Sequence, residues 1–266
     1  MTIEYSLADG IATITINRPA RRNALAPETM VAFREALLAF DRDGDARVVV
    51  ITGAGPDAFC AGADIHETLP SGSSFIEGYF DRESGPGHPL YVRNIAFPRL
   101  RLHKPVIAAV NGVAVGGGME IALNCDLCIA SSNARFGLSE VRIGSIPAVA
   151  GIQQLVRSLA RPVARQLLLT GALFDAAWAL RWGIVSEVVE LPDLLPRAYE
   201  LANSIAANAP LAVSAAKLLA DKAHELPLGE AAQIEELLWG HLYCSEDRIE
   251  GRKAFSQKRT PVYRGK

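Results

Sequence analysis

The hydrophobic rhythm of this chain changes once, near residue 190. Before that point, short apolar runs such as Val48-Val49-Val50-Ile51 and Val106-Ile107-Ala108-Ala109-Val110 alternate with stretches whose apolar residues recur every three or four positions. Runs of the first kind mark strands buried on both faces, as in a parallel sheet, and the second kind marks helices that cover it. From Leu191 onward only the helical spacing remains, in four successive stretches. The pattern restricts the chain to an α/β core over residues 1–190 followed by a wholly helical region over residues 191–266. With 266 residues, one large domain and such an extension can be accommodated. No strict repeat is visible within the core, but a strand-strand-helix rhythm recurs.

Local patterns fix individual elements. Residues 3–16 read as a β-hairpin turning at Ala8-Asp9-Gly10, with Ile3, Tyr5, Leu7, Ile11, Ile14 and Ile16 facing a sheet. Met30, Phe33, Leu37 and Phe40 lie on one face of a helix whose first turn holds Pro27. Residues 69–89 are rich in Gly, Ser and Pro and read as a loop with short helical pieces. Asp247 and Glu250 have the spacing of a capping box for the last helix. The helical region carries apolar faces, including Leu218, Leu219, Ile234, Leu237, Leu238 and Trp239, with little sheet to pack on. Those faces are expected to be buried between subunits, in a trimer or a multiple of three.

Composition excludes several classes of function. A formal net charge of -2 and 7% aromatic residues do not supply the basic, aromatic-rich face that nucleic acid requires. No apolar run is long enough to span a bilayer, and the first residues lack the charged lead and apolar core of an export signal, so the expected location is the cytoplasm. Cys125 and Cys128 form a CxxC without a second pair, and the five histidines have no metal-ligand spacing, so no metal is expected.

The densest glycine cluster, Gly116-Gly117-Gly118, lies where a buried strand gives way to a helix, and Glu120 follows at once. Phosphate binding fits poorly: a P-loop needs Lys and Ser or Thr after the loop, the spacing of a dinucleotide fingerprint is missing, and Glu120 would repel a phosphate. Such a turn can instead aim backbone N–H groups at a single oxygen, reinforced by the helix start, as half of an oxyanion hole. "FCAGADI", after the preceding strand, has the same small-residue character and can supply the second donor. The same glycines also suit tight packing of a helix on a sheet. Glu140, between Gly137 and Gly144, can meet Glu120 over one pocket or face solvent.

Five segments together carry a family resemblance: "NRPARRNAL", "FCAGADI", "KPVIAAVNGVAVGGGMEIALNCD", "FGLSEVRIGSIP" and "SEDRIEGRKAFSQKRTP". In this order, and across the whole chain, they resemble the crotonase superfamily, and most closely its enoyl-CoA hydratases. The resemblance implies a spiral of ββα units, a helical C-terminal region that assembles trimers, often paired into hexamers, and an acyl-CoA thioester as substrate. It implies that the amides of Ala63 and Gly117 form the oxyanion hole, that Glu120 activates water for attack at C3, and that Glu140 protonates C2. The CoA moiety is expected along Arg21, Arg22, Ala24, Ala61, Asp64, Ile65, His66 and Gly116, with Phe255 and Lys258 closing the site, in some members from a neighbouring subunit. No cofactor other than the CoA of the substrate is implied. The loop over residues 69–89 is expected to shape the acyl pocket.

The chain departs from the hydratase pattern in three places. His66 stands where lysine is usual, Ser139 where proline precedes the second glutamate, and Pro147-Ala148-Val149-Ala150-Gly151 where the hydratases usually read Pro-Gly-x-Gly-Gly, with Ala148 replacing a glycine beside the catalytic water. The Ala148 loop is expected to have relaxed to a conformation that alanine tolerates. A Δ3-Δ2 enoyl-CoA isomerase would need the same oxyanion hole and only one carboxylate. Further alternatives are a superfamily hydrolase or decarboxylase, for which Ser139 in "GLSEV" does not form a GxSxG elbow, and a non-catalytic acyl-CoA or RNA-binding scaffold.

Overall fold

The structure is a computed structural model and describes residues 1–68, 75–80, 85 and 88–266. Ten strands are present among these residues: β1 Ile3–Ala8, β2 Ile11–Ile16, β3 Val48–Gly53, β4 Ala58–Cys60, β5 Val106–Val110, β6 Val113–Val115, β7 Leu127–Ser131, β8 Arg135–Gly137, β9 Phe174–Asp175 and β10 Glu187–Val189. They make a six-stranded sheet in the order β1-β2-β3-β5-β7-β10 and a four-stranded sheet in the order β4-β6-β8-β9. The β1–β2 hairpin and the β8–β9 pair are antiparallel, and every other pairing is parallel.

Strands alternate between the two sheets. β3, β5 and β7 lie in the large sheet, and the strand after each, β4, β6 or β8, lies in the small one. Helical segments follow each pair: α2 Phe75–Tyr79 and α3 Phe97–Leu100, then α4 Gly117–Asn124, then α5 Gly151–Ser158 and α6 Arg161–Thr170. Each strand-strand-helix unit therefore advances one place in both sheets. This is the spiral of ββα units that the resemblance implies, with the recurring rhythm of the sequence as its repeat.

Burial explains why the strands pair as they do. All six residues of β3 and all five of β5 are buried, as their unbroken apolar runs predict. One face of the large sheet closes on the small sheet and on α1 (Pro27–Arg42), which buries Met30, Phe33, Leu37 and Phe40. The opposite face packs under α8 (Leu191–Ala206), where Leu194, Ala198 and Ala202 meet Ile11, Val48, Val50, Ile107, Ala109 and Ile129. Each fully buried Val, Leu or Ile contributes about 1.5–3 kcal/mol relative to exposure, so both faces stabilise the sheet substantially.

The structure corrects several expectations. Tyr5 and Leu7 are exposed, because β1 is an edge strand that overhangs the core and only its first residue, Ile3, is covered. Ile11 faces α8, whereas Ile14 and Ile16 face the other side, as their parity in the strand requires. The helical region does find sheet to pack on, since α8 packs across β2, β3, β5 and β7. Its remaining helices differ: α9 (Pro210–Lys222) and α10 (Leu228–Tyr243) pack on each other and bury no residue completely. The last helix, α11 (Glu246–Ser256), is capped by Ser245, whose hydroxyl accepts the Arg248 N–H at 3.1 Å. Asp247 is not part of a capping box; it is buried and accepts the amides of Arg264 and Gly265 at 2.7 and 2.8 Å, tying the C-terminal segment back onto the helix. The remaining helix, α7 (Ala176–Arg181), leads toward β10.

Helix α4 sits against β4 with no room between them. A Cβ on Gly118 would stand 2.0 Å from the carbonyl oxygen of Cys60 and 2.7 Å from its carbonyl carbon. Backbone cannot yield as a side-chain tip can, so Gly118→Ala must push the helix off the sheet. Overpacking of this kind costs about 1–3 kcal/mol, and a clash with backbone belongs at the upper end. Urea unfolding of Gly118→Ala should show that loss as a lowered midpoint with an unchanged slope.

Candidate active site

Three parallel neighbours in the small sheet deliver the site from their carboxyl ends. The chain leaving β4 carries Gly62 and Ala63, the chain leaving β6 carries Gly116, Gly117 and Glu120, and the chain leaving β8 carries Glu140. Because Cys60 pairs with Ala114 and Val115 with Gly137, the three exits lie side by side. The Gly116 amide donates to the Gly137 carbonyl at 2.9 Å and extends the β6–β8 pairing into the turn.

The first two exits approach closely. Gly62 has φ +87°, and a Cβ there would lie 2.9 Å from the Val115 carbonyl oxygen and 3.2 Å from the Gly117 nitrogen. Only glycine allows this passage. The Ala63 nitrogen lies 3.9 Å from the point a Cβ on Gly117 would occupy, so the two peptides flank one small space. Ala63 forms a parallel bridge to Leu25 through its neighbours: Leu25 donates to the Gly62 carbonyl, and Asp64 donates to the Leu25 carbonyl. The Ala63 N–H itself, and the Gly117 N–H at the first position of α4, have no hydrogen-bond acceptor among the described residues. Ile95, at the end of a short 3-10 helix (Tyr91–Ile95), sets its Cδ1 3.3 Å from the same Gly117 Cβ point and covers the space with hydrocarbon.

Two carboxyls share this neighbourhood in different settings. Glu120 is buried, and its Oε1 accepts the amides of Val149 and Gly151 at 2.8 and 3.0 Å. Burial raises its pKa, against the opposing pull of the Val149, Gly151 and Ala148 amides, which favour the charged form. Glu140 opens a 3-10 turn (Glu140–Ile143) and is half-buried. Its Oε1 lies 3.5 Å from the point a Cβ on Gly116 would occupy, and its Oε2 is buried with no hydrogen-bond partner among the described residues. Burial first, and then the field of Glu120, raises its pKa from 4.5 to about 7. One carboxyl is thus held in place by amides and the other is poised to carry a proton near neutrality.

The remaining sequence-predicted residues divide into groups. Ala24, Ala61, Asp64, Ile65 and His66 lie along one edge, since Ala61 donates to the Arg22 carbonyl and residues 22–25 run beside 61–64. Arg21, Arg22, Ile65 and His66 are exposed there. Asp64 is turned inward: burial opposes its charge, but the His66 amide and Arg18 outweigh that and lower its pKa, with Arg18 3.3 Å away. Arg18, which sequence reasoning passed over, also donates to the Ala24 carbonyl and the Glu67 carboxylate and pins the edge. Asn23 was missed as well; fully buried at φ +56°, it donates to the Ala54 and Ala58 carbonyls. Within one chain Phe255 and Lys258 lie on and just after α11, and among the described residues no hydrogen bond joins them to the site; Phe255 is 87% exposed. Ala148 keeps ordinary backbone, and it is Ala150 that takes the left-handed conformation, at φ +73°. Most of the 69–89 segment lies outside the described residues, apart from α2 and a few flanking positions.

The comparisons with known proteins agree with this geometry. The model of the enoyl-CoA hydratase/isomerase family matches residues 6–266, and the chain belongs to that family, an enzyme of the crotonase superfamily. It is 42% identical to (E)-benzylidenesuccinyl-CoA hydratase of Thauera aromatica, covering 100% of both chains. It is 41% identical to the short-chain-enoyl-CoA hydratase of Clostridium acetobutylicum over 94% of this chain and 92% of that one. Its structure matches that of an enoyl-CoA hydratase from Bacillus anthracis with a TM-score of 0.90 at 34% identity, covering 100% of each. No described helix is long and apolar enough to cross a membrane.

The raised pKa of Glu140 has a consequence for stability. A carboxyl whose folded pKa lies above its unfolded value favours the fold fully below about pH 4.5, and that contribution is lost as pH rises through about 7. Glu140→Gln removes the titration. Its thermal midpoint should exceed that of the parent by a larger margin at pH 8 than at pH 5. An equal margin at both pH values would show that the Glu140 carboxyl is not perturbed.

Proposed function

We propose that the protein is an enoyl-CoA hydratase, adding water across the double bond of a trans-2-enoyl-CoA to give a 3-hydroxyacyl-CoA. The observation that carries this reading is the pair of carboxyls with unlike environments, Glu120 buried and Glu140 half-buried, beside two amides that have no acceptor among the described residues. The thioester carbonyl accepts from Ala63 and Gly117, so negative charge developing on its oxygen in the enolate-like transition state is stabilised. One such donor typically contributes about 2.7–4 kcal/mol to lowering the barrier. Glu120, fixed by the Val149 and Gly151 amides, accepts a proton from water as the water oxygen bonds C3. Glu140, whose raised pKa keeps it protonated up to about 7, donates a proton to C2. Proton return from Glu120 to Glu140 completes the cycle, and no metal or further cofactor is assigned.

The two curated relatives described above are both named as hydratases of CoA thioesters, which favours addition of water over movement of the double bond. An isomerase needs one proton shuttle and no activated water. The edge formed by Arg21, Arg22, Ala24, Ala61, Asp64, Ile65, His66 and Gly116 is assigned to the CoA moiety, with either arginine suited to a phosphate. Phe255 and Lys258 are assigned to the site of an adjacent subunit. The exposed Leu237, Trp239, Tyr243 and Phe255 support assembly as a trimer or pair of trimers, since a monomer would leave this apolar surface in water. Light scattering at micromolar concentration should give a mass that is a multiple of three chains, and a stable monomer would remove the assembly.

Crotonyl-CoA tests the chemistry. Glu120→Gln and Glu140→Gln should each lower its hydration at least about a hundredfold, with little change in substrate binding, because positioned acid–base groups each contribute about 10²–10⁴ in rate. The double variant should be little worse than the weaker single one, as for groups that act as a unit. Intact turnover in Glu120→Gln, together with double-bond migration and no added water in the parent protein, would replace the hydratase by an isomerase.

A further inference from the structure

The loop that holds Glu120 is itself held. The Asn124 side chain, at the last position of α4, donates to the Glu120 carbonyl at 2.7 Å and to the Val149 carbonyl at 3.0 Å. Its Oδ1 accepts the Gln154 side-chain amide from α5 at 3.2 Å. The first of these bonds is local, satisfying a carbonyl in the final turn of the helix. The second crosses to the loop, and the third fixes which way the Asn124 amide faces.

The crossing bond falls at a particular peptide. Glu120 Oε1 accepts from Val149 N and Gly151 N. The carbonyl that Asn124 grips belongs to the peptide between those two donors. Ala150, left-handed at φ +73°, turns the chain so that the second N–H comes round to the same oxygen. A side chain on Gly151 would stand 2.6 Å from Glu120 Cγ, so the loop has no slack on the carboxyl side. If the middle peptide rotates, both donors lose their aim together.

We infer that Asn124, oriented by Gln154, is a positioning residue that fixes the Val149–Gly151 amides onto the Glu120 carboxylate and thereby sets that carboxylate's basicity. The inference rests on the reading of Glu120 as the group that activates water. The elements packed on α4 are α3, α5, β4, β5 and β6. Among the described residues the charged side chain whose field couples to Glu120 is Glu140, and the amides of 148, 149 and 151 supply the polar contacts. Weaker amide bonds leave the charged form of Glu120 less stable, so its pKa rises.

Asn124→Leu keeps the branched shape at somewhat greater bulk and removes the amide's donors and its acceptor, and Gln154→Ala removes only the orienting contact. With crotonyl-CoA, Asn124→Leu should lower kcat about tenfold, since hydrogen bonds to a charged group are lost or misaligned. KM should stay within about twofold. The low-pH limb of kcat/KM should move upward by about half to one pH unit, and Gln154→Ala should move it the same way by less. A residue that merely caps α4 would lower the thermal midpoint and leave the pH profile in place, and that result would overturn the inference. If Asn124→Leu does not fold, Gln154→Ala carries the test alone. Carboxyl-carbon NMR titration of Glu120 gives a readout independent of turnover: its pKa should rise in both variants. A parent protein that hydrates no enoyl thioester would defeat the hydratase reading and leave the NMR shift to decide the positioning role.

Discussion

Parallel pairing of β4, β6 and β8 is the constraint on which the site depends. Three strands of three residues each contribute little stability alone. Their value lies in direction, because parallel neighbours release their following residues at the same edge. Ala63, Gly117 with Glu120, and Glu140 come from parts of the sequence far apart and meet only because three successive turns of the spiral end at that edge. The large sheet provides the rigid support. Its central strands β3 and β5 are buried on both faces, between the small sheet and α8, which holds the spacing between turns.

Placing two carboxyls in this environment works against folding. Desolvation raises both pKa values, and the field of Glu120 makes ionisation of Glu140 harder still. The structure offsets the cost unequally. Glu120 receives amide hydrogen bonds, each of a kind worth about 1.5–3 kcal/mol to a charged group. Glu140 receives none at Oε2 among the described residues, so it gives up its charge more readily. The difference between the two groups comes from backbone geometry, since the side chains are chemically the same.

The distal helices present the opposite problem. α8 is integrated with the sheet, but α9 and α10 bury no residue completely, and Trp239 is 58% exposed with Arg248 stacked 5.2 Å from its ring. The proposed assembly would cover this apolar surface and would place Phe255 and Lys258 beside a neighbouring site.

The sequence by itself determined the alternation of strand and helix, the buried runs of β3 and β5, the face of α1 and the change to helix at Leu191, because each depends on residues within one or two turns of each other. The glycine cluster and Glu120 were legible for the same reason. The small sheet was not read as such, since strands of two or three residues are too short to carry a period. The exposure of Tyr5 and Leu7 depended on β1 lying at an edge, which no local pattern records. Asn23, Arg18 and Asn124 look like ordinary polar residues in the sequence, and their roles depend on carbonyls and carboxylates brought to them from 30 or more residues away in the case of the Asn23–Ala54 and Arg18–Glu67 contacts. The setting of the two glutamates was likewise decided by tertiary structure. Burial and amide contacts are properties of the space around a side chain, and that space exists only once the turns of the spiral have stacked.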